Sequence, residues 1–180
     1  HCTIDAIHID RGKLLSAEEL AVLAEYKRYA LTDDGVSPRA LPASGPKAVY
    51  LTTSDEHLED GQITEDAEVA TAMANKRLHK LETARADIRS PYCYGPTNAQ
   101  VTLVSWGSSF GPVYEAMNAL NAKGVTANMV QFVDLWPFPT QAAQRSLAGA
   151  KRIVVIEGNA TAQFAFILRA YGGIRVDQEL

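Results

Sequence analysis

The sequence is short of cysteine, of basic clusters and of long apolar runs, and each shortage excludes a class of protein. Cys2 and Cys93 are its two cysteines, too few for a disulfide framework or for the four thiolates of an iron–sulfur cluster. No apolar run approaches the ~20 residues that cross a bilayer. No Lys/Arg cluster is long enough to follow the phosphates of a nucleic acid. We therefore expect neither a membrane nor a nucleic-acid partner, and the cysteine usage favours a reducing, cytoplasmic setting.

The beginning of the chain also lacks two expected features. It starts at His1 rather than methionine, and Ile4–Ile9 alternates like a strand without any lead-in. The first ten residues carry two acidic groups and no apolar core, so they do not resemble a secretory signal. We interpret the chain as a fragment whose preceding sequence is missing. A processed mature protein is the alternative.

What the sequence does contain is ordinary for a globular protein, with 47% hydrophobic and 21% charged residues over 180 positions. That length suits one domain, or one domain plus a substantial appendage. The appendage is predicted at residues 1–96, where the pattern is irregular. Ser16 and Glu19 have the spacing of a capping box, which predicts a helix from there to about Tyr26.

The rest of this first segment combines loops with one long helix. Residues 32–46 hold a high density of turn formers, and Lys47–Thr53 is predicted as a strand. Thr64 is a plausible N-cap for a helix over Glu65–Ile88, which Ser90-Pro91 would end. We therefore expect an irregular α+β segment with a long helix.

The second segment, residues 97–180, alternates strands and helices with short connections, most compactly over 97–173. Such alternation predicts an α/β domain of three layers with a mostly parallel sheet. The predicted strands are Val101–Trp106, Val125–Val133 and Lys151–Glu157, and the predicted helices run from Pro112 to Gly124, from Thr140 to Leu147 and from Ala162 to Tyr171.

The sharpest motif is Gly107-x-Ser109-x-Gly111, placed between a strand and a helix. Its residue pattern and its position between a strand and a helix match the nucleophile elbow of α/β-hydrolases. In that fold the histidine follows the serine, whereas His1, His8, His57 and His79 all precede Ser109. A hydroxyl without a base is a weak nucleophile. We therefore predict a tight structural turn, with ligand contact through Ser108 and Ser109 as the alternative.

A second ligand-facing position is Glu157-Gly158-Asn159, at the carboxyl end of the third predicted strand. Open α/β sheets bind their ligands at this edge. Glu157 could orient a partner's group there, while Asn159 is equally suited to a cap or turn. Ser108, Ser109, Glu157 and Asn159 are thus weak candidates for cofactor contact, and no residue is predicted to be catalytic.

Two further patterns are interpreted as structural. Asp55-Glu56-His57 resembles a metal cluster, but no second histidine or cysteine stands at ligand spacing. We predict a solvated acidic turn and no metal site, with His79 on a helix surface. The run Phe164–Leu168 makes the last helix apolar on all sides, which favours burial at a subunit or domain interface.

Several motifs in the same order resemble one family, the alpha subunits of 2-oxoacid:ferredoxin oxidoreductases, particularly the 2-oxoglutarate type. In the second segment they are Val104–Gly111, Glu115-Ala116, Pro137-Phe138-Pro139, Val155–Asn159 and Gln163. In the first segment they are Ile9–Gly12, Tyr26–Tyr29, Asp34–Arg39, Asp55-Glu56-His57 and Lys76-Arg77. One departure is Pro42-Ala43, where the resemblance implies Pro-Gly.

The resemblance implies a transketolase C-terminal-like fold for residues 97–180, and a pyrimidine-binding domain before His1. It implies an enzyme that uses thiamine diphosphate and Mg to decarboxylate a 2-oxoacid oxidatively to its acyl-CoA. Electrons would pass through an iron–sulfur cluster to ferredoxin. A beta subunit would carry the diphosphate site, and an alpha–alpha contact is expected.

This fragment would bind no cofactor alone. It would brace the active-site domain, support subunit contacts and border the entrance for CoA. A free-standing α/β binding or scaffold module without catalysis is the alternative function.

Overall fold

A computed structural model describes residues 9–180, which form two compact units that divide between Thr83 and Ala84. The predicted strand Ile4–Ile9 lies outside the described residues except for Ile9, as do His1, Cys2 and His8. The units divide before the predicted boundary at 96/97 because Tyr92–Tyr94 is a strand of the second unit's sheet. The assignment of residues 1–96 to an extension after a further domain stays a prediction.

The first helix of the first unit, α1, spans Ala17–Val22. Its capping box is confirmed: the Glu19 amide donates to Ser16 Oγ at 3.1 Å, and Glu19 Oε2 accepts from the Ser16 amide at 2.8 Å. The helix ends earlier than the predicted Tyr26. Tyr26 is instead buried in a small core, where its hydroxyl accepts a hydrogen bond from the Ala40 amide at 2.8 Å.

The long helix, α2, spans Ala67–Ala84 and is shorter at both ends than predicted. Its cap is Asp66, whose Oδ1 accepts from the amides of Glu68 and Val69 at 2.9 and 3.0 Å. Thr64, the predicted cap, lies before the helix, and its hydroxyl oxygen accepts a hydrogen bond from the Asp66 amide. A turn in which the Asp87 amide donates to the Ala84 carbonyl follows the helix.

The predicted strand at Lys47–Thr53 is wrong. The segment has no regular secondary structure, and among the described residues no neighbouring strand pairs with it. Val49 and Leu51 are exposed, while Ala48 lies in the small core beside Leu20 and Tyr26 and Tyr50 packs against that core. Extended β-branched runs form strands only where a partner edge is available, which the local sequence does not reveal.

The loop at residues 33–37 lies directly on α2. Gly35 has φ +73°. A Cβ added there would lie 2.7 Å from the backbone nitrogen of Lys80 and 2.8 Å from the backbone carbonyl oxygen of Lys76. The Lys76 ammonium and the Thr83 hydroxyl donate to the loop, at Ser37 Oγ and the Asp34 carbonyl respectively. Glycine is therefore required for this close approach of loop and helix.

Ala43 occupies the position where the resemblance implies glycine, and it adopts φ +64°. This left-handed conformation is one that glycine takes freely and that an alanine Cβ disfavours. The turn is therefore kept in the form that suits glycine, with local backbone strain.

The second unit is an α/β domain of three layers, as predicted. Its five-stranded sheet has the order β1–β3–β2–β4–β5, in which only β1 is antiparallel. The strands are β1 (Tyr92–Tyr94), β2 (Val101–Trp106), β3 (Ala127–Phe132), β4 (Ile153–Val155) and β5 (Gln178–Glu179), and the helices are α3 (Phe110–Ala122), α4 (Thr140–Leu147) and α5 (Gln163–Gly172).

Alternation along the central strand β2 builds the two cores. Leu103 and its neighbours in register, Met129 and Val154, face α3 through Val113 and Met117. The next residues in register, Val104, Val130 and Val155, contribute to the core that includes α4 and α5. A strand covered on both faces explains the continuous apolar run at Val101–Trp106.

The close approach of Gly35 to α2 leads to a test. We expect Gly35→Ala to destabilise the first unit, because the added Cβ meets helix backbone and φ is positive. The matched control is Gly12→Ala, where φ is +65° but no atom of the described residues lies within 4 Å, so that only the conformational cost of about 1 kcal/mol applies. Hydrogen exchange of the α2 amides measures the difference. Equal protection in the two variants would contradict the packing.

The strain at Ala43 predicts a stabilising substitution. Ala43→Gly removes a left-handed penalty of about 1–2 kcal/mol and loses about 0.5–1 kcal/mol through the greater unfolded-state entropy of glycine. We expect a net gain of roughly 0.5 kcal/mol in the free energy of unfolding, measured by urea denaturation. Ala24→Gly, in an exposed loop without positive φ, is the control and should shift stability the other way. Destabilisation by both would show that Ala43 is unstrained.

Candidate functional site

The serine loop at the carboxyl edge of the sheet is held to the strands by a buried polar pair. Ser105 Oγ donates to Gln131 Oε1 at 2.5 Å, and Gln131 Nε2 donates to the Gly107 carbonyl at 3.2 Å. Gly107–Ser109 forms one 3₁₀ turn leading into α3. Ser108 is exposed and Ser109 half-buried, and the Ser109 hydroxyl does not cap α3.

The second unit contains no histidine, since the last histidine of the chain is His79. No imidazole of this unit can therefore activate Ser109. The loop's fixed hydrogen bonds agree with the interpretation as a structural turn. Ligand contact through Ser108 or Ser109 stays a prediction.

Glu157 lies at the same edge and is almost completely buried, with 8% of its surface exposed. Its Oε1 accepts from the amides of Phe164 and Ala165 at 3.1 Å, so it satisfies the free N–H groups that open α5. Burial works to raise the pKa of Glu157, but these backbone hydrogen bonds, with help from Asn159 and Trp106, lower it below its ordinary value. The Glu157 carboxylate therefore has a structural role, because its hydrogen bonds cap the start of α5.

The Asn159 side chain also has a structural role. Its Oδ1 accepts from the amides of Thr161 and Gln163, both at 3.2 Å, and its Nδ2 donates to Glu157 Oε2. This is the cap-and-turn arrangement that the sequence offered as one of two roles. The structure therefore brings Glu157 and Asn159 together as a helix cap, while Ser108 and Ser109 stand on the separate turn before α3.

The first unit contains a feature that sequence reasoning missed, a cleft of about 420 Å³. Among residues 9–180, seven of those that line it are lysine or arginine and none is aspartate or glutamate. We call it the basic cleft. Its floor is one face of α2, where Met73, Lys76, Arg77 and Lys80 recur at helical spacing.

Two walls of the basic cleft come from distant parts of the chain. Arg39 is joined to the segment Arg11–Lys13 by a bridge in which the Arg39 amide donates to the Lys13 carbonyl at 2.8 Å. The Arg39 guanidinium also donates to the Arg11 carbonyl at 3.2 Å. On another side, the Arg28 guanidinium lies over the Tyr29 ring, 5.4 Å from its centroid. Backbone pairing thus brings the cationic side chains together.

The positive charge of the basic cleft is only partly compensated. Lys13 pairs with Asp34 and Arg77 with Glu56, which leaves five of the seven cations without a carboxylate partner among residues 9–180. Burial lowers the pKa of Lys76, and the charges of Lys80 and Arg28 lower it further. Like charges therefore meet here at an electrostatic cost.

The acidic turn predicted at Asp55-Glu56-His57 is not simply solvated. Glu56 is half-buried and accepts two hydrogen bonds from the Arg77 guanidinium, at 3.1 and 2.6 Å. That pairing lowers the pKa of Glu56 to about 2. The His57 ring packs on Tyr29 with 4.0 Å between centroids. Over residues 9–180, no three His, Cys, Asp or Glu side chains converge as a metal site.

His79 lies on the surface of α2, as predicted, and its Nε2 is 2.6 Å from the Asp33 carbonyl oxygen. The predicted place of the last helix at a subunit or domain interface stays a prediction. Phe164, Ala165 and Leu168 are buried within the unit, but Phe166 is 64% exposed. Helix α5 therefore covers the sheet with one face and presents the other, apolar one to its surroundings.

That outer face forms an apolar groove with a neighbouring loop. Trp136 and Tyr171 meet edge to face at 4.8 Å between centroids, and each is about half exposed. Phe166 and Ile167 complete the groove. Exposed aromatic surface of this kind is typical of interaction sites. As for membranes, none of the helices in the described part of the chain is long and apolar enough to cross one.

Comparison with known proteins identifies relatives of the whole chain. Residues 94–166 match the family model of the transketolase C-terminal domain. The chain is 36% identical over 97% of its length to 2-oxoacid:ferredoxin oxidoreductase 2, subunit alpha, of Aeropyrum pernix, and covers 26% of that protein. It is 32% identical over 94% of its length to 2-oxoacid:ferredoxin oxidoreductase 1, subunit alpha, of Sulfurisphaera tokodaii, again covering 26%.

The chain is also similar to a solved structure of an enzyme of this kind. That structure is of 2-oxoglutarate:ferredoxin oxidoreductase from Magnetococcus marinus with 2-oxoglutarate, coenzyme A and succinyl-CoA bound. The match has a TM-score of 0.71 and 30% identity, and covers 88% of this chain and 28% of the other. The chain is therefore similar over nearly all of its length to 2-oxoacid:ferredoxin oxidoreductase alpha subunits, as the sequence resemblance predicted, and spans about a quarter of the curated relatives' length.

The cap formed by Glu157 predicts a pH-dependent loss of stability. Glu157→Gln keeps the shape but leaves one oxygen for several buried donors, so we expect a loss of about 1–3 kcal/mol near neutral pH. Because the folded-state pKa is lowered, the carboxylate's contribution is present above its unfolded value of about 4.5 and is lost as pH falls through the folded value.

Urea denaturation of wild type and Glu157→Gln between pH 3 and pH 7 measures this effect, and the two curves should converge at acid pH. Glu115→Gln on the exposed side of α3 is the control and should be neutral throughout. A difference between wild type and Glu157→Gln that does not depend on pH would contradict the role of the charge.

Proposed function

We propose that the chain is a supporting part of a thiamine-diphosphate-dependent 2-oxoacid:ferredoxin oxidoreductase. The whole enzyme would decarboxylate a 2-oxoacid oxidatively to its acyl-CoA and pass the electrons to ferredoxin. The observation that carries the proposal is that nearly all of this chain aligns with alpha subunits of such enzymes. Since it spans only about a quarter of them, the activity belongs to a larger assembly.

We propose 2-oxoglutarate as the substrate. The support is the Magnetococcus marinus enzyme, which acts on 2-oxoglutarate and matches 88% of this chain in structure. The chain does not carry the sequence features of an iron–sulfur site or of a thiamine diphosphate site. Its two cysteines cannot hold an iron–sulfur cluster, and it has no Gly-Asp-Gly motif of a diphosphate site. Thiamine diphosphate, Mg and the cluster would thus be held by other parts of the enzyme, with a beta subunit carrying the diphosphate site.

The proposed role of this part is structural. Glu157 and Asn159, at the edge where α/β sheets bind ligands, are occupied in capping α5. The fold is therefore stabilised at the place where a catalytic domain would have free polar groups. The apolar groove around Trp136, Phe166 and Tyr171 offers a surface for contact with another alpha subunit or with the beta subunit. Cysteine usage supports a cytoplasmic location.

The test begins with the coding sequence ahead of His1, where we expect a pyrimidine-binding domain. The complete alpha subunit, combined with the beta subunit, should reduce a viologen dye when given 2-oxoglutarate and CoA. The chain alone should show no turnover, because it lacks the cofactor site. Pyruvate in place of 2-oxoglutarate is the control for substrate choice.

Each outcome bears on a different part of the proposal. Turnover by the isolated chain would overturn its supporting role. Full activity of the assembly without residues 9–180 would show that the part is dispensable, and faster reduction with pyruvate would replace the substrate. If no cofactor domain precedes His1, the alternative of a free-standing α/β module replaces the enzyme.

A further inference from the structure

We propose that the basic cleft of the first unit is a binding site for a phosphorylated small molecule, with the phosphate or diphosphate group held against the face of α2. The cleft is formed within one compact unit. This proposal goes beyond the proposed function, because it needs neither a 2-oxoacid nor the remaining parts of an enzyme.

The charge of the cleft favours an anion. Five cations without a carboxylate partner among the described residues surround a volume of about 420 Å³. Lysines and arginines on a surface normally point away from one another into water. Here Lys76 is held in the cleft by donating to the Tyr29 carbonyl at 2.8 Å and to Ser37 Oγ. An ammonium fixed among other cations is stabilised by a bound anion.

The type of donor favours phosphate over a single carboxylate. Arg28 and Arg39 offer planar guanidinium groups, which pair with phosphate through two parallel hydrogen bonds, while Lys80 supplies a point charge. A phosphate group has three acceptor oxygens and close to two negative charges, so it satisfies more of these donors than a carboxylate does.

The volume is larger than one phosphate requires. Small-molecule sites usually measure about 300–1,000 Å³, and this cleft also has less polar walls, formed by Tyr29, Val36 and Met73. These side chains can contact the organic part attached to the phosphate. A nucleotide diphosphate therefore fits the site better than free phosphate does.

Two ion pairs beside the basic cleft hold the side chains of Arg77 and Lys13 in place. Glu56 accepts two hydrogen bonds from Arg77 and Asp34 pairs with Lys13, so these two cations are fixed at the border of the cleft. The carboxylates themselves do not line it. With Lys76 held by Tyr29 and Ser37, this leaves Arg11, Arg28, Arg39 and Lys80 as the groups available to a ligand.

Calorimetric titration of the complete chain at low ionic strength tests the site. The probes are inorganic pyrophosphate, ADP, citrate as a tricarboxylate of similar charge, and adenosine as the uncharged part. We expect pyrophosphate and ADP to bind, ADP more tightly, citrate at least tenfold more weakly and adenosine not measurably. Added salt should weaken binding, since the attraction is electrostatic.

Two variants locate the site. Lys80→Gln should weaken pyrophosphate binding about tenfold, because one charge-assisted hydrogen bond is lost. Arg28→Lys keeps the charge but loses the planar donor pair, and should weaken binding severalfold. The control is Lys123→Gln, an exposed lysine at the end of α3 in the other unit, with less than a twofold effect. Thermal melting checks that each variant is folded. If Lys80→Gln does not fold, Arg28→Lys still tests the site.

The proposal is overturned if pyrophosphate does not bind at millimolar concentration in low salt. It is also overturned if Lys123→Gln weakens binding as much as Lys80→Gln, which would indicate general surface charge. Citrate binding as tightly as pyrophosphate would assign the cleft to carboxylates, such as an acidic peptide of a partner. Equal binding of pyrophosphate and ADP would leave free diphosphate, rather than a nucleotide, as the ligand.

Discussion

The packing of the loop at residues 33–37 on α2 is the contact on which the first unit depends. Gly35 lies so close to the helix backbone that no side chain fits, and Lys76 and Thr83 donate hydrogen bonds to the same loop. This contact orients the face of α2 that forms the floor of the basic cleft. Without it, Arg39 would have no fixed relation to Lys76 and Lys80. A backbone-level contact thus determines where the charges meet.

In the second unit, the carboxyl edge of the sheet shows how one position can serve the fold instead of a ligand. Open α/β sheets leave their binding crevice at this edge. Here the first turn of α5 has free amides, and Glu157 is the buried carboxylate that accepts from them. Asn159 completes the turn. A group that satisfies buried donors cannot also bind a substrate without exposing them, so chemistry at this edge would need other residues.

Much of the second unit was predictable from sequence. The strand Val101–Trp106 and the helix Thr140–Leu147 have the predicted bounds, because a run buried on both faces and a turn-bounded amphipathic segment are local signals. The short strands at Tyr92–Tyr94 and Gln178–Glu179 were missed, since each exists only through its pairing with a neighbour. The prediction of a strand at Lys47–Thr53 failed for the opposite reason: its residues favour a strand, but no neighbouring strand within residues 9–180 pairs with it.

The sequence by itself determined the α/β class of the second unit, the capping box of α1, the order of the elements and the relationship to 2-oxoacid:ferredoxin oxidoreductase alpha subunits. These features depend on residues close together in the chain or on motifs in order. Tertiary structure alone decided that Arg11, Arg28, Arg39 and Lys80 line one cleft, and that Glu157 is a helix cap. Electrostatic fields and buried hydrogen bonds depend on distances in space, which residues far apart in sequence acquire only when the chain folds.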